Sequence, residues 1–188
     1  MAPEEVDRIR EIDLSESGEV VYKWVNGRVE ATPEKWTRPG TYGDGWWRRA
    51  EKIRARLAGP APTEAFGPAG PGGAVGGRGE EGGAAWGAFD GGRLVGFLAL
   101  QYRLAEDVAL LAALWVSREH RRQGIAAALT GEACRLAKES GARAMYVSAT
   151  PSESAQGFYR SQGFRPTQFV HVELYRAEPE DIHMVKEL

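Results

Sequence analysis

Cysteine is almost missing from this chain: Cys134 is the only one in 188 residues. A lone thiol cannot close an intramolecular disulfide and cannot anchor a His/Cys zinc cluster. The expectation is a cytoplasmic setting and no metal. Long apolar runs are missing as well. None approaches the roughly 20 residues a membrane-spanning helix needs, and the first residues do not read as a leader, so no membrane partner is expected. Nor is there a surplus of one charge. Lys and Arg total 24 against 26 for Asp and Glu, a net charge of −2, which speaks against a nucleic-acid partner. With 43% hydrophobic and 27% charged residues the chain is not disordered. Its length suits a single domain with a substantial core, as a monomer or homodimer.

The most informative stretch runs from Ala109 to Gly141. Leu110–Val116 is almost wholly apolar, as befits a strand covered on both faces. A polar turn, Arg118 to Arg122, follows. The spacing then predicts a helix after Gly124, with Ile125, Leu129, Ala133, Leu136 and Ala137 on one face. Glu132, Arg135, Lys138 and Glu139 face water and are placed to pair, and Gly141 is the left-handed stop. The helix opens on Arg121-Arg122-Gln123-Gly124-Ile125-Ala126-Ala127. Unpaired N–H groups and the dipole make a helix N-terminus attractive to phosphate. Gly124 and Ala126 keep little bulk in an anion's way.

Around this stretch the pattern predicts further elements. Arg10-Glu11-Ile12 reads as a short first strand. Val20–Val25 and Arg28–Glu30 form a hairpin about Asn26-Gly27. Thr32–Gly45, with two prolines and three glycines, reads as loop. Trp46–Leu57 is a basic helix that packs on Trp46, Ala50, Ile53 and Leu57, with Arg48, Arg49, Arg54 and Arg56 mostly outside. Residues 59–83, rich in Gly, Pro and Ala, read as a flexible insertion. A GxGxxG match at Gly77–Gly82 has neither the strand before it nor the helix after it that a dinucleotide site requires. A second hairpin, Ala84–Phe89 and Arg93–Tyr102, and then Val108–Val116 give three antiparallel strands. Arg143–Ala149 completes a β-α-β crossover. Thr150 as N-cap with Pro151 and Glu153 starts another helix, which ends at Gly163. Val170–Tyr175 and Ile182–Val185 are expected as a closing antiparallel pair.

Arg121–Ala126 matches the Arg/Gln-x-x-Gly-x-Gly/Ala motif, and Phe158-Tyr159 and Gly163-Phe164 fit the segment downstream. The chain thereby resembles the GNAT superfamily of N-acetyltransferases over roughly Ala84 to Leu188. Ile12–Glu16 and the hairpin after it are similar to streptothricin-type acetyltransferases. The resemblance implies an α/β fold with a central mixed, mostly antiparallel sheet flanked by helices, an N-terminal β-hairpin and a Gly/Pro-rich insertion. Residues 1–58 would serve the acceptor side, 59–83 the loop and 84–188 the acetyl-CoA-binding core.

The resemblance further implies acetyl transfer from acetyl-CoA, as co-substrate, to a primary amine of a small molecule or peptide. The alternative is a non-catalytic acyl-CoA-binding or sensor module. Leu114, Trp115 and Val116 would offer backbone N–H groups to the pantetheine arm and polarise the thioester carbonyl. Arg121, Arg122, Gln123, Gly124, Ile125, Ala126 and Ala127 would hold the pyrophosphate. Ser152, where relatives often carry asparagine, and Phe158 complete the cofactor side, and Tyr159 would protonate the leaving thiolate. Val147 stands where many relatives have a glutamate base. His171 or Glu173, alternating on one face of the expected strand, remain candidates for that base, beside a plain solvated face. Asp13 and Glu16 are candidate amine anchors, and Trp24, Trp36, Trp46 and Trp47 candidate pocket walls.

Overall fold

The computed structural model describes residues 3–40, 46–58, 66–68 and 82–188. The chain opens with a 3-10 helix, Pro3–Glu11, and not with a strand at Arg10. Val6, Ile9 and Ile12 explain the difference. All three are buried, and a spacing of three stacks them on one face of a 3-10 helix, whereas a strand would bury alternate residues.

Strands β1 (Glu16–Val25) and β2 (Arg28–Arg38) form the expected hairpin, with Asn26 and Gly27 both at positive φ. Strand β2 continues well past Glu30, so the loop expected from Thr32 begins only at Pro39. Pro33 is accommodated because it adjoins the register shift between Gly18 and Val20, where a missing N–H matters least. Helix α1 (Trp46–Ala58) buries Ala50 and Ile53 as expected. The insertion contributes one short strand, β3 (Phe66–Pro68). The rest of the expected loop, with most of the GxGxxG match, lies outside the described residues.

Next come β4 (Gly83–Asp90), β5 (Arg93–Ala105), β6 (Val108–Val116), α2 (Ile125–Glu139) and β7 (Ala144–Ala149). The chain closes with α3 (Glu153–Ser161), β8 (Arg165–Pro166), β9 (Phe169–His171), α4 (Val172–Ala177) and β10 (Ile182–Glu187). Six strands form the main sheet in the order β4-β5-β6-β7-β10-β8. Only the β6–β7 pairing is parallel, because α2 carries the chain back across the sheet. Helix α2 packs Ala133 and Ala137 against Leu98, Leu100, Leu111 and Met145 on one face of the sheet. The N-terminal 3-10 helix and α1 cover Leu94, Phe97 and Ala99 on the other.

Two expectations in the C-terminal third are corrected. Val170–Tyr175 is not a strand beside β10, since both edges of β10 are already taken by β7 and β8. Only Phe169–His171 is extended, pairing with β3, and the chain then turns into α4. Of the alternating Val170, Val172 and Leu174, only Val170 in β9 and Leu174 in α4 are buried, so no buried strand face continues through Val172. The cap of α3 is Ser152 and not Thr150. Its Oγ accepts the Ala155 N–H at 3.3 Å, so the helix begins at Glu153.

Helix α2 sits close to the sheet because β5 has glycine at position 96. A Cβ there would lie 2.8 Å from Ile125 Cγ2 and 3.1 Å from Ala88 Cβ. Gly96→Val must therefore lever the start of α2 away from β5. The expected loss is about 1–3 kcal/mol of stability, measured by denaturant unfolding.

Candidate active site

Strand β6 pairs with β7 only from Val108 to Leu110. Beyond Leu110 the two strands part. On its other edge β6 pairs with β5, and the register there advances from Leu100↔Leu111 to Ala99↔Ala113. Ala112 is thus an extra residue, a β-bulge that bends β6 where it leaves β7. A cavity of about 580 Å³ fills the resulting gap, walled by Leu110–Val116 on one side and Val147–Thr150 on the other. The β7-facing edge of β6 beyond Leu110 therefore has no ladder partner and faces the cavity.

The phosphate-type turn closes one side. Gly124 is the N-cap of α2 at φ 84° and supplies no side-chain cap. A Cβ at Gly124 would meet nothing within 4 Å, and Gly124, Ile125, Ala126 and Ala127 all line the cavity. The Ala128 N–H already bonds the Gly124 carbonyl, which leaves those of Ile125, Ala126 and Ala127 for a ligand. Arg122 also has positive φ, 64°, an uncommon conformation that concentrates at functional turns. The turn is tied to its surroundings: Arg121 Nε donates to the Val116 carbonyl at 3.1 Å, and Ser117 Oγ accepts the Asp13 N–H at 2.9 Å.

Helix α3 supplies the third wall. Tyr159 is 7% exposed, and its ring meets Phe158 and Phe164 edge-to-face at 5.3 and 5.4 Å. Its hydroxyl has no hydrogen-bond partner among the described residues. Burial, reinforced by the charge of Asp181, pushes the phenol well above its ordinary pKa, so it keeps its proton at neutral pH. The β1–β2 hairpin leans on the start of this helix: the Tyr22 N–H donates to the Pro151 carbonyl at 2.9 Å, and Ser154 Oγ donates to Glu16. Glu16 and Arg38 are thereby brought to the cavity.

Most residues singled out from the sequence meet here. Leu114, Trp115, Val116, Arg121, Arg122, Gly124, Ile125, Ala126, Ala127, Ser152, Phe158 and Tyr159 all line the one cavity. Gln123 does not; its amide turns back to the Glu119 carbonyl at 3.2 Å. Val147 lines the cavity, as expected for a position without the usual acid. The two base candidates do not reach it. His171 is 0% exposed and lies at the end of β9, while Glu173 is exposed on α4. Their shared face was a property of a strand that does not form. Asp13 is occupied in capping the Ser15 N–H at 2.8 Å. Trp24 and Trp47 are exposed, and Trp36 Nε1 donates to the Val20 carbonyl; none of the three lines the cavity, and the Trp46 side chain lies outside the described residues.

Charged residues not foreseen as site residues complete the wall. Helix α1 presents Arg49, Lys52 and Arg56, and the segment before β10 presents Glu178 and Asp181. Arg49 Nη1 donates to Glu178 Oε1 at 2.7 Å, and Ser148 Oγ donates to Asp181 Oδ2 at 3.0 Å. Burial, then the neighbouring Glu178 charge, raises the Asp181 carboxyl to about 7. At Glu178 burial also pushes upward, but Arg49, helped by the hydrogen bond to Asp181 and the charge of Lys52, brings the pKa below its ordinary value. The pair therefore holds its shared proton on Asp181. The acidic run Glu178-Pro179-Glu180-Asp181 was visible in the sequence, but nothing local tied it to the cleft.

Fold and site together define the acyltransferase class. Residues 56–164, more than half of the chain, match the model of the Acetyltransferase (GNAT) family, and the chain belongs to that family. No curated protein matches its sequence. Among solved structures, nourseothricin acetyltransferase is similar over 100% of this chain and 95% of its own, at 20% identity and a TM-score of 0.66. A Bacillus anthracis str. Ames protein described as a streptothricin acetyltransferase, solved with acetyl coenzyme A, is similar over 100% of this chain and 96% of its own. Its identity is 17% and its TM-score 0.61. Among the described residues no helix is long and apolar enough to cross a membrane.

Proposed function

We propose that this protein transfers an acetyl group from acetyl-CoA to a primary amine of a small molecule or peptide, by direct attack. The observation behind the reading is that the β6–β7 gap, the bare start of α2 and the Tyr159 ring share one cavity. The residues present fit acetyl-CoA. Open N–H groups at Ile125–Ala127 beside Arg121 and Arg122 suit its pyrophosphate, and the unpaired edge of β6 suits the amides of its pantetheine arm. Bound there, acetyl-CoA supplies an activated acetyl thioester. A β6 N–H, from Leu114 or Trp115, stabilises negative charge building on the carbonyl oxygen, an effect of about 3 kcal/mol for one preorganised donor. Tyr159 Oη delivers a proton to the departing sulfur. A cytoplasmic setting belongs to the same reading, resting on the single cysteine.

Free-thiol release with an amine panel that includes nourseothricin tests this, alongside calorimetric titration with acetyl-CoA. Micromolar binding with amine-dependent release is expected. Binding without release from any amine would favour a sensor module, the reading that Val147 supports.

A further inference from the structure

An amine nucleophile must lose a proton before it attacks, and the residues first considered for that task stand outside the cleft. His183, the other buried imidazole, is also unsuited. Its Nδ1 is 2.6 Å from the Tyr146 hydroxyl, among residues that do not line the cavity. His120 does line it, but it belongs to the phosphate-type turn and pairs with Asp90 at 3.2 Å.

We propose that Asp181 is the base that accepts the acceptor's proton, and that Glu178, held by Arg49, is the carboxylate that receives the ammonium. This rests on the acetyltransferase reading above. Both acids line the cavity that contains Tyr159, and the two ends of the segment are anchored. The Glu178 N–H bonds the Leu174 carbonyl at 3.0 Å and the Asp181 N–H bonds the Glu178 carbonyl at 3.1 Å. Ile182, the next residue, is locked opposite Ala149 in the sheet. Ser148 donates to Asp181 Oδ2 at 3.0 Å, and Asp181 and Glu178 share a side-chain hydrogen bond, so the two acids stand side by side as one unit on the cavity wall. Groups acting on Asp181 are Glu178 after α4, Arg49 on α1 and Ser148 on β7, with Tyr159 on α3 feeling its charge; Lys52 on α1 acts on Glu178. The charge with the largest effect on it is the negative one of Glu178, which favours a positively charged acceptor.

The protons balance. Asp181, as carboxylate, takes one proton from the ammonium, and the freed nitrogen lone pair forms the C–N bond as the C–S bond breaks. Tyr159 protonates the sulfur and is reprotonated by the second proton lost from nitrogen. Asp181 returns its proton to solvent, so one proton is released per turnover. An elevated carboxyl suits a base that works near neutral pH.

The test uses the full chain with acetyl-CoA and two amines, nourseothricin and 1,5-diaminopentane, following thiol release from pH 5.5 to 9. Wild-type kcat/KM should rise with pH along a limb set by Asp181. Asp181→Asn should lower kcat by about 10²–10⁴-fold and abolish that limb. It should leave acetyl-CoA affinity within about twofold, which also shows that the variant is folded. Asp181→Glu should restore part of the rate, and Glu178→Gln should act chiefly on the amine KM. An Asp181→Asn enzyme that binds acetyl-CoA, retains the limb and stays within a few-fold of wild type overturns the assignment alone. A wild type that binds acetyl-CoA and acetylates neither amine overturns the transfer reading and this base with it.

Discussion

Gly124→Glu is expected to weaken acetyl-CoA binding by at least about 100-fold while the protein remains folded. Each N–H bond to a charged partner contributes about 1.5–3 kcal/mol, so losing even part of the set at Ile125–Ala127 accounts for two decades in affinity. Two effects must be separated, because Gly124 sits at φ 84°, where any side chain is strained. Gly124→Ala isolates the backbone effect. Its Cβ would meet nothing within 4 Å, so it should cost about 1–2 kcal/mol of stability and far less affinity than glutamate. Calorimetric titration of wild type and both variants measures the affinities, and denaturant unfolding measures the strain. Equal affinity in wild type and Gly124→Glu would remove the start of α2 from the cofactor site.

Tyr159→Phe is expected to lower kcat by about 10²–10⁴-fold with the KM for acetyl-CoA nearly unchanged. The substitution is a clean one. The ring contacts with Phe158 and Phe164 at 5.3 and 5.4 Å persist in phenylalanine. Removing the hydroxyl leaves no buried partner unsatisfied, since it has none among the described residues. Stability should therefore stay within about 0.5 kcal/mol. Because burial and the Asp181 charge hold the phenol protonated, the wild-type rate should show no decline at moderately alkaline pH from loss of this proton. A Phe variant that keeps wild-type kcat would make Tyr159 a packing residue only.

The pair Glu178/Asp181 also links pH to stability. Asp181 has a folded pKa raised from 3.8 to about 7, so the folded state binds its proton more tightly than the unfolded chain. Its contribution therefore favours folding below pH 4 and diminishes as pH rises toward 7. Glu178 is shifted the other way by Arg49, so its contribution is present above its unfolded pKa and is lost on acidification. The two oppose each other, so Asp181→Asn should remove the loss of stability between about pH 4 and 7 that Asp181 contributes, measured by denaturant unfolding across that range.

Where a residue's role depends on near neighbours in the chain, the sequence by itself was sufficient. Leu110–Val116 had to be a covered strand, Ile125–Glu139 a helix with one apolar face, and Asn26-Gly27 a tight hairpin. The same holds for the form of the start of α2, a left-handed glycine before a helix whose first turn carries small residues, which needs no help from elsewhere. Local patterns misled where competing structures share them. Val6, Ile9 and Ile12 fit a 3-10 helix better than a strand once packed, and the alternation of Val170, Val172 and Leu174 breaks at Val172, where α4 begins because both edges of β10 are taken.

The tertiary structure alone decided how the cleft is assembled. Register determined that β6 leaves β7 at Leu110, with the bulge at Ala112. That gap is what joins Trp115, Tyr159, Arg49 and Asp181 in one cavity although they are scattered from α1 to the last strand. The direction of the Asp181 shift has the same origin. A carboxylate's pKa depends on what burial and neighbouring charges do within a few ångströms, and those neighbours arrive only when the sheet closes.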